Sequence, residues 1–561
     1  KTHKNIILTI LFSSLLAAGL LTFRDYSIHI EEKFHRSSGL YWLHYLLNFT
    51  EFDSLKMITL NKLKTIGDYT LSSATHYNKY GIIFDVPAAF LEIIFKIENS
   101  KSFYQLRHCL SFILFFLSSI FFYKILMNRF NNFNVCIVGT LLYVLSPRIY
   151  GDSFLYKDIL FLSILTFTIF YTFKCFDKFN YKNLTILALL SSICISTRII
   201  GIFIPITFSF IIFLSFSLRK KNINFYKKYL FFIIFLIIFL IIHWPYLWSS
   251  PINNFLSLFT SLKYDIVDMK ILFNNEFISS RVLPYKYIPY WIGLTTPIPH
   301  LILSIFGIFI CAKKSFVRLI SIKENSKGDD WWNNENERKD FFIFFSFFSI
   351  ILFLVTFNIG LYNGWRIIYF INIFFMYFSA LAFYSILSSL KKNNLKLFLN
   401  FFILLSIILI LLRMIAYHPY QSIYFNILAT NKVKNSYEID YYGLAGSKFL
   451  NDMIAKNPKE NIIKIAVASH TPLQRSLESL SKEESNKIRI IGQEYSNADY
   501  IFKNNISEVN SRFNHKYDVP KNFVKIEEYI IDGILIYEVF KSNKKKIMKT
   551  FVYKTLFIFL M

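Results

Sequence analysis

The sequence predicts an all-α polytopic membrane protein of about eleven transmembrane helices, with a large outward first loop and a small C-terminal α/β domain outside the membrane. Three observations predict it. The 561 residues are 54% hydrophobic and only 17% charged, with 65 Phe and 36 Tyr, and the mean hydropathy is +0.41; a soluble chain carries about 25% charged residues. Apolar runs of roughly 17 to 25 residues recur along the chain, each long enough to cross a ~30 Å hydrocarbon core. Beyond residue 416 the composition turns polar and stays so for about 130 residues. A soluble enzyme, a disordered chain and a disulfide scaffold are excluded. So is a β-barrel, whose strands would alternate polar and apolar residues at about ten-residue spacing.

The first apolar run, 5–23, follows Lys1 and Lys4 and is followed by Arg24-Asp25-Tyr26 rather than a small-residue cleavage site. It reads as an uncleaved first span with a cytoplasmic N-terminus. Further spans fall at 105–126, 134–148, 158–174, 183–198, 200–218, 229–243, 289–311, 340–358, 366–387 and 397–415. Between the first two lies the outward loop 24–104, where the half-apolar stretches 40–46 and 82–95 read as helices lying in the membrane interface. A second outward region, 244–287, is rich in Trp, Tyr and Pro. From 416 to 546 Glu, Lys, Asn and Ser rise, and β-like runs appear at 462–467, 488–491 and 530–539. The chain thus divides into a transmembrane domain (1–415), an outer α/β domain (416–546) and a short apolar tail (547–561), too short to span. It shows no internal repeat and no Gly-rich phosphate loop.

The charges set the orientation. Arg219-Lys220-Lys221, Lys227-Lys228, Lys313-Lys314 with Arg318, and Lys391-Lys392 fall on the cytoplasmic side. The short outward turns carry only Arg148, Lys157, Arg198 and Arg366. That satisfies the positive-inside rule with the N-terminus in and the C-terminus out. The net charge of +26, from 62 Lys and Arg against 36 Asp and Glu, follows from such loops facing anionic membrane lipids; it calls for no nucleic acid. The five cysteines lie in or beside apolar spans without a C-x-x-C pair and read as small packing residues.

Acidic residues beside a span are costly without a use. Just after the first span come Asp25, Glu31 and Glu32 in Arg24-Asp25-Tyr26-Ser27-Ile28-His29-Ile30-Glu31-Glu32-Lys33-Phe34-His35-Arg36. If helical, Glu31–His35 and Glu32–Arg36 are i,i+4 surface pairs worth about 0.3–0.5 kcal/mol. The functional alternative is a carboxylate base at the membrane edge. A second cluster follows the third span, Ser146-Pro147-Arg148 through Asp152, Lys157 and Asp158, on the same side. Arg198, Arg281 and Arg366 each sit at a span mouth or in an outward loop. Arginine binds phosphate bidentately, so they are candidates for a lipid phosphate; snorkelling to ordinary lipid phosphates is the equal alternative for each. The histidines are scattered, with no H-E-x-x-H, so no metal is assigned.

Together these residues resemble the lipid-carrier-dependent glycosyltransferases of the GT-C fold. That group includes protein O-mannosyltransferases, the aminoarabinose transferase acting on lipid A, and the RgtA/B/C/D-like bacterial proteins. The resemblance covers roughly residues 5–445. It rests on one span, a large outward loop opening with an acidic pair, then short-looped spans. Local phrases add to it: Tyr80-Gly81-Ile82-Ile83-Phe84-Asp85, Ser146-Pro147-Arg148 through Lys157-Asp158, Ser196-Thr197-Arg198, Asn363-Gly364-Trp365-Arg366 and His418-Pro419-Tyr420. In that family an early Asp-Glu pair carries the catalytic carboxylate, and by position it falls on Glu31-Glu32. The first residue here is Glu rather than Asp, and geometry matters at the ~1 Å scale; a shifted pocket, Asp25 in that role, or an inactive protein are the alternatives. The family's second acid falls on Asp152 or Asp158, with Asp158 preferred.

The resemblance implies a polyprenyl-phosphate-linked sugar donor, a lipid, glycan or protein acceptor, and a single inverting displacement at the outer face of a bacterial inner membrane. Glu31 would be the base, with Glu32 and Asp158 beside it; Arg198, Arg281 or Arg366 would hold the leaving phosphate. Asp25, Asp85, Asp152 and Lys157 are further candidates. Some relatives use a divalent metal, but no ligand set stands out. A transporter or flippase without chemistry is the rival, expecting ionisable residues at mid-membrane and inverted repeats; an assembly protein and a glycan polymerase or ligase are further ones.

Overall fold

The computed structural model describes residues 2–66, 79–155, 157–217, 223–264, 268–320, 331–357, 359–361, 364–434, 436–458, 462–470, 473–504 and 515–543. The basic cluster Arg219-Lys220-Lys221, Asn363 and the apolar tail 547–561 lie outside them.

The chain runs α1 (Thr2–Thr22), α2 (Glu32–Leu47), α3 (Asp53–Thr65), α4 (Asp85–Ile94), α5 (Ser100–Phe130), α6 (Phe133–Val144), α7 (Pro147–Asp152), α8 (Asp158–Asp177), α9 (Tyr181–Thr197) and α10 (Phe203–Ser217). It continues through α11 (Ile223–His243), α12 (Pro251–Tyr264), the hairpin β1 (Lys270–Phe273) and β2 (Glu276–Ser279), then α13 (Tyr287–Thr295), α14 (Ile298–Ile320) and α15 (Glu335–Thr356). After a 3-10 turn, Arg366–Ile371, come α16 (Asn372–Ser389), α17 (Asn393–Ala416), the single turn α18 (Asn431–Lys434) and α19 (Ala445–Lys456). Among the described residues eight helices are long and apolar enough to cross a membrane, and three shorter apolar ones accompany them. The chain is a multi-pass helical membrane protein with a small C-terminal sheet.

Asparagines punctuate the spans. α5 ends with Asn131 in the left-handed region (φ 47°), and Asn132 caps α6 by accepting from the Val135 N–H at 3.2 Å. Asn180 caps α9 in the same way at Asn183. Short polar side chains satisfy helix-end donors and tolerate that backbone, so these two-to-three-residue links reverse the chain sharply. The run expected as one span at 289–311 is instead two helices. Thr296 is extended (φ −100°, ψ 138°) because Pro297 disfavours a helical predecessor. α13 ends there and the long helix starts at Ile298.

Chain direction places the ends of α1, α6 and α9 and the starts of α5, α8 and the Arg366 turn at one end of the bundle. At the opposite end, Asp340 in the second turn of α15 receives Arg129 through Nε (2.7 Å) and Nη2 (2.6 Å) and the Tyr377 hydroxyl (2.7 Å), all buried.

The first loop folds on itself. α2 is buried along most of its length, clamped to α4 by the Arg36–Glu92 pair (3.0 and 2.7 Å) with Lys62 of α3 at 3.2 Å. Gly39 permits the contact: a Cβ there would stand 2.2 Å from the Asp85 carbonyl oxygen.

The C-terminal unit is a five-stranded mixed sheet of β3 (Ile463–Val467), β4 (Ile488–Ile490), β5 (Tyr500–Asn504), β6 (Phe523–Ile531) and β7 (Ile534–Ser542), in the order β4-β3-β5-β7-β6. β3 runs parallel to β4 and β5, while β7 pairs antiparallel with β5 and β6. α19 contributes Phe449 to its core, tilted against Phe502 and edge-on to Tyr537. The β6–β7 turn, Asp532-Gly533, has φ of 50° and 73°, the two-residue geometry that matches strand twist. Its Asp532 accepts from Arg413 (2.9 Å), Tyr417 (2.7 Å) and Lys434 (2.9 Å), fastening the sheet to the end of the last span.

Candidate functional site

At the loop end of the bundle, His29, Glu31, Glu32, His35, Asp152, Leu155, Lys157, Asp158, Arg366 and Tyr442 line one pocket. Its cavity is about 10 Å³, room for about one water.

Glu31 sits immediately before α2, so its side chain is not held against the helix. It pairs bidentately with Arg366, whose Nη1 lies 3.2 Å from Oε2 and whose Nη2 contacts Oε1. About 35% of the Glu31 side chain stays exposed, against 5% for Arg366. Burial works to raise the Glu31 carboxyl, but Arg366 outweighs it and holds the group well below the usual carboxylate range. The Glu31 N–H donates to Nδ1 of His29 at 2.9 Å, which leaves the ring proton on Nε2. Burial holds His29 neutral, at about 3.

Glu32 does different work. It is buried, takes the His29 N–H at 2.7 Å and meets His108 Nε2 at 3.0 Å through both oxygens. That anchors the loop between α1 and α2 onto α5. The i,i+4 alternative, Glu31 with His35 and Glu32 with Arg36, does not form. Each acid found a buried partner across the fold, where a bidentate or doubly bonded contact exceeds a surface pair in strength. His35 turns to Asp85, with Nδ1 3.5 Å from Oδ2, and Arg107 takes the other oxygen at 3.3 Å.

Asp158 opens α8, and Arg198 follows the last residue of the antiparallel α9; the two form an ion pair. Lys157 places its ammonium 3.5 Å from the centre of the Tyr80 ring and holds that phenol below its ordinary range. Asp152 is buried with Oδ1 unpartnered among the described residues, while Oδ2 accepts from the Tyr442 hydroxyl at 3.2 Å. Burial pushes Asp152 up to about 7.

The roof comes from far along the chain. Tyr442, between α18 and α19, packs its ring tilted against His29 with centroids 4.1 Å apart, and the Arg366 guanidinium lies 5.4 Å from the rings of both Tyr441 and Tyr442. The segment is held by the β1–β2 hairpin: the Asn275 N–H donates to the Ser436 carbonyl at 3.0 Å, and Phe273 packs on Tyr437.

Glu31, Glu32, Asp152, Lys157, Asp158 and Arg366 therefore meet, with Arg198 and Asp85 bonded to residues of the lining. Two candidates stand elsewhere. Asp25 pairs with His418 at 3.0 Å. Arg281 is exposed just beyond β2 and is not part of the lining. Sequence reasoning passed over His29, His35 and Tyr442. The two histidines lie beside the acids already singled out; for Tyr442 no local signal exists. Among the described residues no three His, Cys, Asp or Glu side chains converge to hold a metal.

Fold and pocket define a multi-pass membrane protein with an ionisable site at one end of its helix bundle, roofed by its C-terminal unit. No protein-family model matches the chain, and no curated protein matches it in sequence. A similar solved structure is that of ArnT from Cupriavidus metallidurans bound to undecaprenyl phosphate, at 8% identity and TM-score 0.43, covering 95% of this chain and 98% of that one. Residue roles rest on this chain's own geometry.

Proposed function

We propose that the chain is a membrane glycosyltransferase moving a sugar from a polyprenyl-phosphate-linked donor to an acceptor hydroxyl at the outer face of a bacterial inner membrane. The first loop and C-terminal unit would be periplasmic. One observation carries the reading: a partly exposed carboxylate, Glu31, shares a pocket with Arg366, Lys157 and Asp158 at the bundle end where the first loop begins.

The acceptor oxygen attacks the anomeric carbon, and the bond from that carbon to the phosphate oxygen breaks. The electron pair leaves on the lipid phosphate, where Arg366 and Lys157 stabilise the charge. Glu31 takes the acceptor proton. A single displacement inverts the anomeric centre. The ~10 Å³ cavity must widen to admit a sugar, and the Tyr441-Tyr442 segment is the wall that covers it.

A transporter would place its ionisable groups at mid-span. Here Arg129 lies in the last turn of α5 and Asp340 in the second turn of α15, and the Glu31 cluster is at the opposite end. The test is transfer from radiolabelled polyprenyl-phosphate sugars in purified membranes, with wild type beside Glu31→Gln at equal expression. Label reaching an acceptor only with wild type supports the proposal. A wild type that consumes no donor from a broad pool defeats it.

A further inference from the structure

Glu31 and a lipid phosphate require the same guanidinium. The edge of Arg366 formed by its two terminal nitrogens holds one carboxylate or one phosphate bidentately, not both, and in this structure both terminal nitrogens are on Glu31. The neighbouring cations are engaged too, Arg198 by Asp158 and Lys157 over the Tyr80 ring. Resting on the transferase reading, we propose that the Glu31–Arg366 pair is a latch opened by the donor: the lipid-linked phosphate displaces the Glu31 carboxylate from Arg366, and only the displaced carboxylate accepts the acceptor proton.

The geometry says which partner moves. Arg366 is buried and boxed by Tyr441, Tyr442 and His29. Glu31 is about one-third exposed and belongs to the irregular segment before α2 rather than to a helix. The chemistry supplies the reason for the order. A carboxylate held far below its ordinary range by a guanidinium is a weak base, and basicity returns as the guanidinium is lost. The phosphate that arrives with the sugar thus frees the base that completes the transfer. Binding is ordered, donor before acceptor, and the proton moves from the acceptor hydroxyl to a Glu31 oxygen as the sugar leaves the phosphate.

The test uses the purified full-length chain and undecaprenyl phosphate as probe, with uncharged polyprenol as control. Removing the competing charge in Glu31→Gln should tighten phosphate binding by about tenfold, the scale of one charge-assisted bond, while transfer is lost. Glu31→Asp, whose shorter side chain loosens the pair but keeps the charge, should fall between and serves if the Gln variant does not fold. Polyprenol binding should not change. Equal or weaker phosphate binding by both variants, with wild type still preferring phosphate to polyprenol, overturns the latch and leaves the transferase reading standing. No preference for phosphate in wild type or variants overturns both.

Discussion

Arg366 reaches Glu31 across 335 residues of chain, its Nη1 3.2 Å from Oε2, and so joins the loop that leaves the first span to the turn that opens the α16 span. The acid beside it in sequence, Glu32, faces His108 instead. Substitution separates the two. Glu31→Gln should lower transfer by about 10²–10⁴-fold, the usual weight of a general base, with a smaller loss of stability than Glu32→Gln, because the Glu31 side chain is one-third exposed. Glu32→Gln should chiefly lower stability, by about 3 kcal/mol, the cost of breaking a buried charged contact. Transfer rates and melting curves on the same preparations check both; the reverse pattern would move the base to Glu32.

Asp152 supplies a pH dependence. Its folded value, about 7, lies above the unfolded carboxylate value because of burial, so the native state favours the protonated form. Stability from this group is full below about pH 4 and is lost as pH rises toward 7. Above 7 the ionised Asp152 adds negative charge near Arg366 and the donor phosphate. Donor KM should therefore rise above pH 7 in wild type and stay flat in Asp152→Asn. The same variant should gain on the order of 3 kcal/mol at pH 8. A KM profile unchanged by Asp152→Asn would remove Asp152 from the site's electrostatics. Tyr442→Phe, which takes away a hydrogen bond to the ionised form, should move the limb to higher pH.

Gly39 keeps α2 on α4. Gly39→Ala places a methyl group 2.2 Å from the Asp85 carbonyl, against backbone that cannot turn aside. A loss of about 1–3 kcal/mol is expected, with reduced transfer, since Asp85 and His35 shift with the helices. Wild-type melting would show that the two helices separate freely.

Asp532 ties the sheet to the last span. Burial raises its carboxyl, but Tyr417, Lys434 and Arg413 outweigh it and hold it at about 2. Its contribution is present above pH 4 and lost as pH falls toward 2. At neutral pH, Asp532→Asn should cost about 1 kcal/mol after solvent screening and raise hydrogen exchange along β6 and β7. Unchanged exchange would place the docking elsewhere.

Arg281 is a negative control. Arg281→Ala should leave transfer within about twofold of wild type, the scale of a surface substitution; a large loss would bring the hairpin into the donor site.

What the sequence alone determined was the part governed by local physics. Runs of Phe, Ile and Leu long enough to cross hydrocarbon named the helices, because lipid demands an internally bonded backbone. The polar shift and β-like runs after residue 416 marked the sheet. Acids and arginines beside spans stood out because they are costly there, which is why Glu31, Asp158 and Arg366 were visible before their positions were known. The tertiary structure decided who meets whom. Glu31 chose Arg366 over His35, Glu32 chose His108 over Arg36, and Tyr442 arrived over His29 from the far end of the chain. Those choices follow from buried contacts between segments hundreds of residues apart, and no periodicity or spacing encodes them. Pro297 lies between the two cases: the break it imposes is local, but a hydropathy window averages over it.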